Sequence, residues 1–176
     1  MLKKITEALK PDRNTVLIII FILSFKSFAY NPSIVPSGSM IPTIDTKSLI
    51  LVNVHAYGLR IPFTKIKFFE NRLPERGEIS VFRYPQDEST NYIKRIVAIP
   101  GDIVFYNEDS YFVNSEPENI LDYQQSLVPE NNYFAVGDNI LHSNDSRYWG
   151  FVPKENLIGE YVTTITSLEK IKSIFN

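Results

Sequence analysis

The sequence predicts a mainly β protein: an antiparallel sheet or partly closed barrel, with one N-terminal transmembrane helix ahead of it. Three observations predict this. One unbroken apolar run of any length exists, from Thr15 to Phe25. Behind it come short segments rich in β-branched and aromatic residues, each bounded by Pro, Gly, Asn or Asp. The 11 prolines are scattered through the chain and argue against long helices there.

Residues 1–14 carry Lys3, Lys4, Lys10 and Arg13 against Glu7 and Asp12. As helix, the run from Thr15 to Phe25 reaches about 16 Å, against a hydrocarbon core of about 30 Å. Extension to Tyr30 gives about 24 Å, with Lys26 able to snorkel and Phe28 and Tyr30 placed as interfacial aromatics, so a locally thinned bilayer accommodates it. The expected organisation is a cytoplasmic segment over 1–14, an anchor over 15–30 and one extracytoplasmic domain over 31–176. Two other readings stay open. Ser27 and Ala29 supply the small residues of a cleavable signal peptide, and a buried core helix is the third option, though such a helix is rarely apolar on every side. The first two readings keep the basic flank inside and send the remainder of the chain out of the cytoplasm.

From residue 31 onward there is no repeat, low-complexity tract or obvious linker. Strands are expected at Leu49–Val54, Ile79–Arg83, Tyr92–Ile99, Ile103–Tyr106, Tyr111–Val113, Tyr133–Val136 and Tyr161–Thr166. Pro100-Gly101-Asp102 reads as a turn, and Asn107–Ser110 as the loop of a hairpin.

Composition narrows the chemistry. With 18 basic and 20 acidic side chains the net charge is −2, which gives no broad cationic surface for nucleic acid. The absence of cysteine removes disulfides, thiolate metal sites and a cysteine nucleophile. Two histidines, His55 and His142, cannot build a three-histidine zinc site; that no metal and no organic cofactor is needed is an expectation that comes with the family resemblance given below. A general base must be one of these two, a carboxylate, or a lysine of lowered pKa.

Three segments remain as candidates. Pro36-Ser-Gly-Ser-Met-Ile-Pro-Thr43 is either a turn joining an anchor to a domain or a nucleophile loop, and it lacks the second glycine of a G-x-S-x-G elbow. In Asn91–Asp102, strand periodicity puts Lys94 on one face with Tyr92, Ile96 and Ala98, and Arg95 on the other with Ile93 and Val97; both faces are apolar enough to bury one of the two cations. Gly137–Pro153 reads either as a polar loop with a structural Asp–Arg pair or as part of a site. His142 beside Ser143 permits a Ser–His arrangement, which leaves Lys94 without a role; His55 reads as packing or surface.

Together and in this order, these segments resemble the bacterial type I signal peptidases, membrane-anchored serine proteases that use a Ser–Lys dyad. The resemblance runs from the anchor to about residue 158 and is carried by Pro36-Ser-Gly-Ser-Met-x-Pro-Thr43, by Tyr92-Ile-Lys-Arg95 and by Asp145-Ser-Arg-Tyr-Trp-Gly-Phe-Val-Pro153. It implies Ser39 as nucleophile and Lys94 as general base. Ser37 and the Ser39 N–H would form the oxyanion hole, and Ser143 would orient the lysine. Asp145 with Arg147, and Asp138 with Arg95, would be supporting ion pairs. Val35, Pro36, Met40, Ile44, Tyr92 and Ile93 would line small apolar substrate pockets. The implied substrates are signal peptides of exported precursors, cut after Ala-x-Ala by a monomer in the cytoplasmic membrane, with the bilayer as its other partner.

The chain departs from that family pattern in three places. Ile140-Leu141-His142 stands where the family commonly has Arg-Asp-Asn, Lys47-Ser48 where it has Gly-Asp, and Val54-His55 where it has lysine and an aromatic. The altered loop leaves a specialised paralogue, processing one exported or conjugation-related precursor, as an alternative, and a catalytically dead binding module as a second. Chemically the dyad is coherent: a lysine serves as a base near neutral pH only if burial lowers its pKa from near 10.4 by about 3–4 kcal/mol. The strand around Lys94 offers that apolar company.

Overall fold

A computed structural model describes residues 12–15, 17–18, 31–60 and 67–167. The anchor expected over 15–30 and the segment before it fall, apart from helical residues at 13–15 and 17–18, outside the described residues. No helix among the described residues is long and apolar enough to cross a membrane.

The described chain is built on β1 (Asn31–Val35), β2 (Ser48–Asn53), β3 (Leu59–Arg60), β4 (Lys67–Phe69), β5 (Ile79–Tyr84), β6 (Asp87–Ala98), β7 (Ile103–Tyr106), β8 (Tyr111–Val113), β9 (Gln124–Leu127), β10 (Asn132–Val136), β11 (Val152–Pro153) and β12 (Leu157–Ser167). One four-residue helix, α1 (Ser146–Trp149), and three 3₁₀ turns accompany them. The mainly β expectation holds, with every strand pairing antiparallel. The barrel does not. The main sheet runs β1-β2-β12-β5-β6-β10-β11 and leaves β1 and β11 as opposite, unjoined edges.

This open sheet still coils. Register shifts in β12 at Leu157/Gly159, Tyr161/Thr163 and Thr164/Thr166 insert extra residues on one side of the ladder, and such bulges bend and twist a strand. As a result Val35, at the end of edge strand β1, shares one apolar cluster with Ile50, Val52, Ile79, Val81 and Ile93, although β1 and β6 are four places apart in the sheet. β2 shows the alternation that drives this packing: Ser48, Ile50 and Val52 are buried, and Leu49, Leu51 and Asn53 half-buried.

Asn107 closes the β7–β8 hairpin, its side-chain oxygen accepting from the N–H groups of Asp109 at 3.0 Å and Ser110 at 2.9 Å. β9 completes this small sheet on the other side of β7. A second cluster gathers Phe82, Ile96, Tyr133, Ala135, Val152 and Leu157, and a third Val97, Val104, Val128, Phe134 and Val136, so β6 and β10 are packed on both faces. These two strands form the rigid wall from which the site projects.

Candidate active site

The loop after β1 is pinned from below. Met40 and Ile44 are buried with Val35 in the first cluster, and the Ile44 N–H donates to the Met40 carbonyl at 2.9 Å, closing a tight turn. The Ile41 N–H donates to the Gly38 carbonyl at 3.2 Å. Ser39 thus stands on a short, doubly hydrogen-bonded turn whose apolar side chains are sunk in the core.

Lys94 comes from the middle of β6, directly opposite Ser80 on β5. It is 4% exposed, and its Nζ donates to Ser39 Oγ at 2.5 Å; Ser39 itself is 5% exposed. The ammonium also lies 5.6 Å from the centre of the Tyr92 ring. Burial is the main cause lowering the Lys94 pKa to about 8; the Asp145 carboxylate opposes that shift and the Arg147 guanidinium adds to it. Ser37 Oγ sits 3.3 Å from Ser39 Oγ.

The turn after β10 clamps the Ser39 loop. The Asn139 N–H donates to the Ser39 carbonyl at 3.0 Å and its Nδ2 to the Gly38 carbonyl at 3.0 Å. Asp138 receives Arg95 in a two-point contact, Nε to Oδ1 at 2.8 Å and Nη2 to Oδ2 at 2.6 Å, and the Thr43 hydroxyl donates to the same carboxylate. The Asp138 carboxyl is held below its ordinary value although burial, the largest influence, pushes the other way; the hydrogen bonds from Arg95 and Thr43 outweigh it. Behind this turn Asp145 is fully buried. It accepts from Arg147 Nε at 2.8 Å and Nη2 at 3.0 Å and from the Gly137 N–H at 3.1 Å, while Arg147 reaches the Ile140 carbonyl at 2.6 Å and the Glu108 carbonyl. Those bonds satisfy both charges of the buried pair and brace the loop.

Gly137 is required by closeness. A Cβ built there would overlap Ser143 Oγ and lie 2.5 Å from the Ser39 carbonyl oxygen. Ser143 is buried and near this turn, yet its Oγ has no hydrogen-bond partner and does not reach Lys94 in the structure. His142 contacts Asn139, Nδ1 to Oδ1 at 3.3 Å, and the structure gives it no bond to Ser143.

A cleft of about 330 Å³ opens at Ser39 and Lys94, walled by Pro36 and Ser37 on one side and by Thr90 to Ile93 on the other, with His142 and Asn144 also on its lining. Of the six expected pocket residues, Pro36, Tyr92 and Ile93 line this cleft. Val35, Met40 and Ile44 are closed into the core beneath it. Thr43, Asn139 and Asn144 lie inside the segments singled out by sequence but receive no role there: the two carbonyls that Asn139 bonds come into range only when the sheet coils. No group of three or more His, Cys, Asp or Glu among the described residues is placed to hold a metal ion.

A serine hydroxyl against a desolvated amine of pKa about 8, beside a second hydroxyl, is an arrangement able to perform acyl transfer. The comparisons agree with that chemistry. The profile of the family described as signal peptidase, peptidase S26, matches residues 8–166. A signal peptidase I of Pseudomonas fluorescens is 37% identical over 190 residues, covering 81% of this chain and 67% of that protein. One from Pseudomonas aeruginosa is 34% identical over 190 residues with the same coverage, 81% and 67%. A crystal structure of a signal peptidase I from Enterococcus faecalis aligns at 31% identity and a TM-score of 0.42, over 52% of this chain and 98% of that one. The chain belongs to the signal peptidase family, peptidase S26, a family of serine proteases.

Proposed function

We propose that the chain is a membrane-bound endopeptidase that cuts signal peptides from exported precursors after Ala-x-Ala, with Ser39 as nucleophile and Lys94 as general base. The observation that carries this is the 2.5 Å contact between Lys94 Nζ and Ser39 Oγ inside a buried setting. Once Lys94 has lost its proton, the neutral amine accepts the Ser39 hydroxyl proton as Oγ attacks the scissile carbonyl. The Ser37 hydroxyl and the Ser39 N–H donate to the oxyanion that forms, each donor being worth about 3–4 kcal/mol. The Lys94 ammonium then protonates the departing amine, and the acyl-enzyme on Ser39 is released by a water that Lys94 deprotonates. Ser143 orients Lys94 when its free hydroxyl turns to the amine. Pro36, Tyr92 and Ile93 hold the small residues before the cut, and residues 15–30 anchor the domain at the membrane. Because His142, the last residue of the departing segment Ile140-Leu141-His142, lines this cleft, a specialist processing one dedicated precursor is the second reading.

The test is cleavage of a synthetic precursor peptide whose apolar segment ends in Ala-x-Ala. Wild type is expected to cut after the second alanine, and Ser39→Ala and Lys94→Ala each to lose at least about 10³-fold in kcat/KM with unchanged circular dichroism. Retained cleavage by either variant would overturn the assignment.

A further inference from the structure

A second cleft, of about 630 Å³, opens between the small sheet and α1. Tyr106 at the end of β7, Glu108 in the β7–β8 loop, Leu121 and Asp122 of the 3₁₀ turn Ile120–Asp122, Tyr123, and Tyr148 of α1 line it. Leu121 is 90% exposed and Tyr148 56%, so apolar and aromatic surface stands open at its mouth. The charge around it has one sign. Between Arg95 and Arg147 the chain contains no lysine or arginine. Residues 103–127, which form the small sheet and its loops, carry Glu108, Asp109, Glu116, Glu118 and Asp122, all exposed, and no ion pair among the described residues takes any of the five. The one cation on the lining, Arg147, is buried and matched by Asp145 at 2.8 Å. The cleft thus offers carboxylates and tyrosine rings, the two groups that attract a cation carried on an apolar stem. It is also next to the active site. Asn144 lines the cleft at Ser39 and Ser146 lines this one, so at most about 7 Å of chain separates the two walls.

We infer that this second cleft is an exosite for the precursor, taking a lysine or arginine from the stretch of chain that follows the cut. This rests on the protease reading above and adds a substrate preference to it. The residues before the cut lead back to the apolar segment of the signal peptide, so the stretch free to enter an acidic, solvated cleft is the one after it. An extended peptide advances about 3.4 Å per residue, so positions +3 to +9 span the wall between the clefts and the second cleft itself. A Lys or Arg there lays its stem along Leu121 and the tyrosine rings and brings its charge to Glu108 and Asp122. Both carboxylates are exposed, solvent and salt screen them, and a preference of about fivefold is expected rather than a hundredfold. A glutamate at the same position meets like charge and is disfavoured.

The experiment measures kcat/KM for the full-length chain in non-ionic detergent on Ala-x-Ala peptides identical except for Lys, Gln or Glu at one position from +3 to +9. In about 50 mM NaCl wild type is expected to prefer Lys over Gln by about fivefold at one or two adjacent positions, with Glu below Gln, and in about 0.5 M NaCl the preference should fall below about twofold. The double variant Glu108→Lys, Asp122→Lys should reverse the order and favour Glu over Lys. The inference is overturned if wild type shows no preference at any position, which would leave the cleft to a separate basic partner, or if the Lys preference persists in the double variant. Should that variant cut none of the peptides, the same labelled peptides are titrated onto Ser39→Ala protein with and without the two substitutions. The same reversal in Kd is then expected, and its absence overturns the inference. Failure of wild type to cut any peptide would instead overturn the protease reading, and this inference with it.

Discussion

Lys94 concentrates the chemistry at the residue scale. Its surroundings favour the neutral amine, with a pKa of about 8 against an ordinary 10.5. If the neutral form is the base, kcat/KM should rise about tenfold per pH unit below pH 8 and level off above it, which a pH–rate profile on the Ala-x-Ala peptide reads directly. The same burial has a stability consequence of opposite chemical interest. Below pH 8 the lysine is charged both folded and unfolded, so folding bears the full cost of burying the charge, about 3 kcal/mol. Between pH 8 and 10.5 the folded protein has released the proton and the unfolded chain has not, so stability rises with pH. Lys94→Met, isosteric and apolar, should therefore be inactive yet about 1–3 kcal/mol more stable than wild type at pH 7, the gap closing toward pH 10.5 in denaturant titrations. That Ser39 and Lys94 meet was legible in the sequence through two short motifs and the family resemblance they carry. Asn139 was not, because its partners are two backbone carbonyls from a distant loop.

At the scale of elements, sequence patterning found the strands that build the wall of the site. β7 and β8 fall on the expected bounds, and β2, β5 and β10 within a residue or two. β6 begins earlier than its apolar pattern, because the exposed polar residues Asp87 to Asn91 are held as strand by the hairpin with β5 rather than by burial. β1 is absent from the expected strands for a related reason: Asn31-Pro-Ser lacks β-branched and aromatic residues, and only an edge position, where Pro32 needs no ladder partner on its outer side, makes it a strand. β9, with the sequence Gln-Gln-Ser-Leu, carries no alternation at all and is a strand because β7 offers an edge. The turn 137–139 couples these elements to the site, and Gly137 is its narrowest point. Gly137→Ala forces Ser143 or the Ser39 carbonyl to move, so it should lower stability by about 1–3 kcal/mol and kcat/KM by at least about tenfold. Urea unfolding and peptide cleavage on the same preparation check both.

At the scale of the whole molecule, the coil of the open sheet creates the site. Sequence reasoning anticipated an antiparallel sheet and a barrel in part, since strand count and turn spacing do not distinguish a closed ladder from one whose ends stay apart; the bulges of β12 bend it without closing it. The same coil packs Val35, at the end of β1, against Ile93 of β6 and brings the loop after β1 to Lys94; with β1 following the proposed anchor, the cleft would lie near the membrane surface in the proposed topology. Full-length chain should resist alkaline carbonate extraction from membranes, and a chain beginning at Asn31 should be released by it; extraction of the full-length protein would remove the anchor from the account. The most direct measurement concerns the base itself. Lys94→Arg keeps a cation of similar length at the site but cannot supply a neutral nitrogen near neutral pH. Assayed at pH 8 beside wild type on the same precursor peptide, it should fall at least about 10³-fold, whereas a Lys94→Arg protein cleaving at the wild-type rate would contradict the neutral-lysine mechanism.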